Sequence, residues 1–192
     1  MKDKGKTKKT PPVLFLDVDG VLNGDRTFLR RSGSKMDWEK VKRLNRILSA
    51  TGANVVLSTA WRAWGVDYVR DYLVRAGFKF PGRIIDKTCD LALAPRGWEI
   101  YSWLREHPEV KRFAIVDDWD EMEWMKPRHV HTDGAIGMTD ADADRLIRLL
   151  REDRPVVIVP EWAGQVLRHY EIEAERVEHE YRGFLAQFKF TA

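Results

Sequence analysis

"LFLDVDGVLN", residues 14–23, sets the reading of the whole chain. Val13 to Leu16 is an unbroken apolar run of strand length, as expected for a strand buried on both faces. Where it stops, two carboxylates follow, Asp17 and Asp19, and Gly20 turns the chain. A turn alone accounts for D-x-D-G, because Asp and Gly are common turn formers. Two like charges at the edge of a core nevertheless repel each other unless something cationic lies between them. A divalent metal supplies that charge, and carboxylate and backbone oxygens are the ligands Mg²⁺ takes.

Further along the chain the pattern repeats. Asp37 is placed to cap a helix whose apolar positions Val41, Leu44 and Leu48 share one face, and Thr51-Gly52 ends it. "ANVVLST" (53–59) reads as a second buried strand with Ser58 and Thr59 at its end, followed by a helix through Val66, Val69 and Leu73 to Gly77. Residues 78–95, punctuated by Pro81, Gly82 and Pro95, read as irregular. "RGWEIYSWLREHP" (96–108) is a helix closed by Pro108, and "RFAIVDD" (112–118) a core strand ending in Asp117 and Asp118. "HVHT" (129–132) is expected to be a short strand, and Thr139 to cap a helix through Leu146 and Leu150. Strands alternating with helices imply right-handed crossovers and a mostly parallel sheet covered on both faces. In such a sheet ligands bind beyond the carboxyl ends of the strands, which is where the polar endings converge. A turn explains each ending alone but not all of them together.

Composition narrows the class. The 192 residues are 44% hydrophobic and 33% charged, the profile of one globular domain with a sizeable core. No apolar stretch has the length of a bilayer span, and the lysine-rich start has no apolar segment behind it. With Cys89 as the single cysteine, the expectation is a reducing, cytoplasmic setting without membrane association. The sequence pI is about 9.0. The first ten residues carry five lysines and one aspartate, so they hold +4 of a total of +3 and leave the body at −1. Basicity therefore belongs to an arm, residues 1–12, of the composition of disordered segments, suited to loose phosphate contact or to solubility. Residues 13–154 form the expected domain. Residues 155–192 read as a strand–helix–strand extension packed on it: "PVVIVP", an amphipathic helix over 161–182, and the alternating "FLAQFKF".

The series "DVDGVLN…VLSTAWR…RGWEI…AIVDDWD" resembles the haloacid dehalogenase-like (HAD) phosphohydrolases over roughly residues 13–150. Within them it is most similar to the small HAD domains associated with nucleic-acid repair, which remove terminal phosphates from polynucleotides. The resemblance implies an α/β fold, a Rossmannoid three-layer sandwich with a mostly parallel central sheet and minimal or no cap. It also implies a Mg²⁺-dependent phosphatase. Asp17 is the nucleophile, forming an aspartyl-phosphate, and Asp19 protonates the leaving oxygen and then activates water. Asp19 is therefore expected to titrate above its partner. Dehalogenases lack a carboxylate at this second position, so Asp19 points to phosphate chemistry. The metal set is Asp17, the backbone carbonyl of Asp19, and Asp117 with Asp118, one direct and one through water, in an order left open. Ser58 and Thr59 bind phosphoryl oxygens. The basic residue facing the phosphate is Arg96, at a helix start, with Lys87 as the alternative.

Arg62 and the loop arginine Arg26, with Arg30 and Arg31, are further candidates for substrate contact; the default for Arg62 is an exposed helix arginine, and the loop cluster either meets a substrate's phosphates or is a solvated loop. His129 and His131 lack a third ligand at metal spacing. Trp61, Trp64, Trp119 and Trp124 follow the motif strands, and either stack on bases or pack. Short intervals between the motifs leave no room for a substantial cap, which suits large phosphorylated substrates such as polynucleotide ends. Two alternatives stay open: a small-metabolite phosphatase whose C-terminal extension covers the site, and a catalytically idle HAD-like module that binds nucleic acid through its arm.

Overall fold

In the computed structural model, the apolar run Val13–Leu16 is β1, buried along its whole length at the centre of a five-stranded sheet. The structure describes residues 10–24, 36–91, 94–152 and 159–188. The other strands are β2 (Asn54–Leu57), β3 (Ile84–Lys87), β4 (Phe113–Asp117) and β5 (His129–His131). The helices are α1 (Trp38–Thr51), α2 (Val66–Arg75), α3 (Arg96–Glu106), α4 (Asp140–Arg151) and α5 (Ala163–Phe188). All neighbouring strands pair parallel in the order β3-β2-β1-β4-β5, with Val13 opposite both Asn54 and Phe113.

Side chains alternate across the strands and so divide the core in two. Leu14 and Leu16 pack with Val55, Leu57 and Val116 under α1, α2 and α4. Val13 and Phe15 face the other way, with Val56 and Ile115, onto Ile100 and Trp103 of α3. The result is the three-layer α/β sandwich expected from the strand–helix alternation. Right-handed crossovers explain the distribution: the chain winds outward from β1 to β3 with helices on one face, then returns through α3 on the other. Winding direction reverses between β1 and β4, and this is the switch point where such folds bind ligands.

Local signals act as read from sequence at most helix ends. The Asp37 side chain accepts from the Glu39 amide, and Gly52 closes α1 in the left-handed region at φ 69°. Thr139 and Asp142 form a capping box at α4.

Two expectations need correction. Residues 78–95 are not wholly irregular, since they contain the edge strand β3, whose Ile84 is buried while Ile85 is exposed. Half-buried edge strands lack the continuous apolar run that marks a central one. The segment expected to be a strand at 184–190 continues helix α5 as far as Phe188. The expected strand at 155–160 falls largely on residues outside the described set, as do most of the arm and Arg26, Arg30 and Arg31. The described end of the arm is tied down: the Pro12 carbonyl accepts from Asn54, and that of Thr10 from Arg112. Among the described residues no helix is long and apolar enough to cross a membrane.

Candidate active site

β1 ends at Leu16, so the next residue, Asp17, stands at the switch point and is 5% exposed. Asp117, the last residue of β4, is fully buried, and Asp118 follows it. Asp17, Asp117 and Asp118 each offer a carboxylate oxygen, and these atoms lie within 4.8 Å of one another. The outer oxygen of Asp117, Oδ2, has no hydrogen-bond partner among the described residues; Oδ1 accepts from the Trp119 amide. Burial, reinforced by the neighbouring Asp117 charge, pushes Asp17 up to about 8, against the pull of Arg96, the Val18 amide and the Thr59 hydroxyl. Asp117 is likewise raised, to about 6, mainly by burial. Without a cation the site thus holds its own carboxylates in an unfavourable state, and burial raises Asp17 itself, the expected nucleophile. A desolvated, all-oxygen set with one orphaned oxygen fits a hard divalent cation such as Mg²⁺.

Glycines make the room. An added Cβ on Gly134 would sit 2.6 Å from Asp118 Oδ2, and one on Gly20 would fall on the same oxygen. Gly20 is also at φ 68°, a conformation that disfavours other residues. Its amide donates to Asn23 Oδ1 at 2.9 Å, and Thr132 Oγ1 donates to its carbonyl at 2.9 Å. Asp19 is exposed and stands outside the group of carboxylates within 4.8 Å of one another, although its charge is felt at Asp118. Its two oxygens accept from Trp61 Nε1 at 2.8 Å and from Asn23 Nδ2 at 2.7 Å.

The second strand delivers Ser58 and Thr59, both fully buried; the Ser58 hydroxyl has no hydrogen-bond partner among the described residues. Arg96, at the first turn of α3, reaches across to Asp17 Oδ1 at 3.8 Å and donates to the Ser58 carbonyl. Lys87, the alternative to Arg96, instead donates to the Arg62 carbonyl at 3.1 Å.

Arg62 departs from the expected solvated side chain. It is 8% exposed, donates to the Thr59 carbonyl at 2.9 Å and pairs with Glu99 Oε1 at 2.6 Å. Glu99 is itself buried, and its second oxygen lies 3.8 Å from Arg96 Nε. Burial holds the Glu99 carboxyl above its ordinary range despite both arginines. Glu99 was invisible as a site residue because its partner lies 37 positions away in sequence.

His129 and His131, which lack metal spacing, have another use. Each ring Nε2–H donates to a backbone carbonyl of the acidic pair, His129 to Asp117 at 3.0 Å and His131 to Asp118 at 2.9 Å. A carbonyl only accepts, so the proton sits on Nε2 in both rings. The alternation His-Val-His on a strand beside β4 was the available signal.

These elements bring together Asp17, Asp117, Asp118, Ser58, Thr59 and Arg96, with Asp19 at the rim. Among the described residues the interval 58–95 holds short 3-10 turns, α2 and the edge strand β3. A family model described as "HAD domain in Swiss Army Knife RNA repair proteins" matches residues 13–143. Neither the curated proteins nor the solved structures compared with the chain gave a match.

Proposed function

Because this chain belongs to the family of HAD domains in Swiss Army Knife RNA repair proteins, we propose that it is a Mg²⁺-dependent phosphomonoesterase that removes terminal phosphate from RNA. The observation that carries this reading is the convergence of buried Asp17 with Asp117, Asp118, Arg96 and the unbonded Ser58 hydroxyl at one switch point. An idle module would have no physical reason to hold buried like charges together against their desolvation.

In this reading Asp17 attacks the phosphorus and the ester P–O bond breaks, leaving the phosphoryl group on the Asp17 carboxylate. Asp19 gives its proton to the leaving oxygen, then takes one from the water that hydrolyses the acyl phosphate. Trp61 and Asn23 fix the Asp19 carboxyl in orientation for both transfers. Arg96 neutralises charge on the phosphoryl oxygens, and the Ser58 hydroxyl donates to one of them. Asp17, Asp117 and Asp118 would hold the Mg²⁺, which supplies positive charge that lets the nucleophile ionise and the phosphate approach.

Phosphate release from a 3′-phosphorylated oligoribonucleotide tests the reading, with Mg²⁺ or EDTA, for the wild type and Asp17→Asn. Release that needs the metal and vanishes in Asp17→Asn is expected. Absence of release from both 3′- and 5′-phosphorylated RNA would overturn it.

A further inference from the structure

Of the tryptophans that follow the motif strands, Trp61 is buried and Trp124 joins a ring cluster, whereas Trp64 and Trp119 stand open at 58% and 55% exposure. Both are tied to the site by a single intervening side chain. Arg96, which contacts Asp17, lies over the Trp119 ring at 5.7 Å, and the Trp119 amide is bonded to Asp117. Trp64 meets Trp61 edge-on at 5.7 Å, and Trp61 in turn donates to Asp19. The loop after β2 carries Trp64 and the loop after β4 carries Trp119. Since β1 lies between those strands, the two segments leave the sheet on either side of the strand that ends at Asp17, and the Trp64 ring also packs on Tyr68 at 5.3 Å.

Exposed rings occur elsewhere on this chain, at Trp38 and Trp162, so it is contact with site residues that singles out Trp119 and Trp64 as surfaces for a ligand's flat face. The partner's chemistry follows from position. It must present a phosphate to Arg96 and Asp17 and, within one side chain's reach, a flat apolar face. A nucleotide is built this way, whereas a sugar or glycerol phosphate has no such face. Arg96 beneath Trp119 also polarises the indole and holds its ring in place. We propose that Trp119, with Trp64 across the cleft, stacks on the nucleobases next to the terminal phosphate, so that the site selects single-stranded polynucleotide ends over other phosphate esters. This rests on the phosphatase reading above and names its substrate selectivity.

The test is a selectivity ratio, which cancels general loss of activity. For the full chain, kcat/KM on a 3′-phosphorylated trinucleotide is divided by kcat/KM on glycerol phosphate, in wild type, Trp119→Ala, Trp119→Phe and Trp64→Ala. Stacking of one base predicts a fall of about five- to a hundredfold for Trp119→Ala, carried by KM. Trp119→Phe keeps most of the ratio and Trp64→Ala lowers it. An unchanged ratio in Trp119→Ala overturns the proposal, even if both rates drop through Arg96. If wild type hydrolyses no ester, the phosphatase reading fails, and quenching of tryptophan fluorescence by an unphosphorylated oligonucleotide then decides the stacking alone. Quenching that is lost in the Trp64→Phe, Trp119→Phe double variant supports the stack; no quenching, or quenching unaltered in that variant, overturns it.

Discussion

Removing the Glu99 carboxylate perturbs this site from behind, through the two arginines it pairs with rather than through the aspartate cluster. Glu99 is 4% exposed and Arg62 8%, and they meet at 2.6 Å. Glu99 Oε1 also receives the Leu91 amide at 3.4 Å, and Oε2 faces Arg96 at 3.8 Å. Its raised titration means that burial opposes the charge, so the pair adds little net stability compared with an apolar replacement. Breaking one side is different, because Glu99→Ala leaves the buried Arg62 guanidinium with only the Thr59 carbonyl and the exposed Asp90 carboxylate at 3.8 Å, and leaves Arg96 without its backing. Losing one partner of a buried pair costs about 3–5 kcal/mol. For a chain of this size that is roughly 2–4 °C of melting temperature per kcal/mol, hence a drop of about 6–20 °C. Glu99→Gln keeps the shape and an acceptor and is expected to cost less, about 1.5–3 kcal/mol. Replacing the pair together, Arg62→Met with Glu99→Leu, should restore most of the loss. Urea denaturation of the four proteins measures these differences directly. A cost below about 1 kcal/mol for Glu99→Ala would mean that the pair is screened by water like a surface bridge, and the reasoning from burial would be wrong.

Other outcomes follow from the same geometry. Gly134→Ala places a Cβ against Asp118 Oδ2 and should weaken Mg²⁺ binding about 10- to 100-fold by calorimetry; unaltered affinity would mean that Asp118 is no ligand. Asp17 is raised from 3.8 to about 8 and Asp117 to about 6, so the contribution each makes is fully present below about pH 4 and is lost as pH rises through those values. Melts in EDTA should therefore lose stability between about pH 4 and 8, while the Mg²⁺-induced rise in melting temperature grows over the same window. A shift independent of pH would contradict it. Thr139→Ala removes half of a capping box on α4 and should cost about 1 kcal/mol in denaturation while leaving kcat unchanged, since α4 supplies no group to the cleft.

Much of this arrangement was legible in the chain because its central strands are buried on both faces. Val13–Leu16, Val55–Leu57 and Phe113–Val116 are continuous apolar runs, and their abrupt polar endings mark the ligand edge. Ile84–Lys87 escaped because an edge strand exposes alternate residues. "FLAQF" misled because its period of two is local, whereas the helix entering it has already been nucleated and gains one bond per added residue. Arg62 was read as solvated because local sequence carries no trace of Glu99. The choice between Arg96 and Lys87 needed three dimensions, since each sits at the end or start of a regular element and only one faces Asp17.

The first turn of α3 holds one more consequence. Arg96 and Glu99 look into the cleft, but Trp98 between them turns outward and packs on Trp124, Trp162 and Tyr170, the anchor of α5. Gly97 allows this turn to lie against the backbone of residues 121 and 122, where a Cβ would come within 2.9 Å of the Glu121 carbonyl. Helix α5 lies beyond the stretch matched by the family model, which ends at 143. The appendage is therefore bolted to the same turn that carries Arg96 and Glu99. Any exchange or trimming of this C-terminal piece must refill the socket around Trp98, or the turn that holds Arg96 beside Asp17 inherits the disturbance.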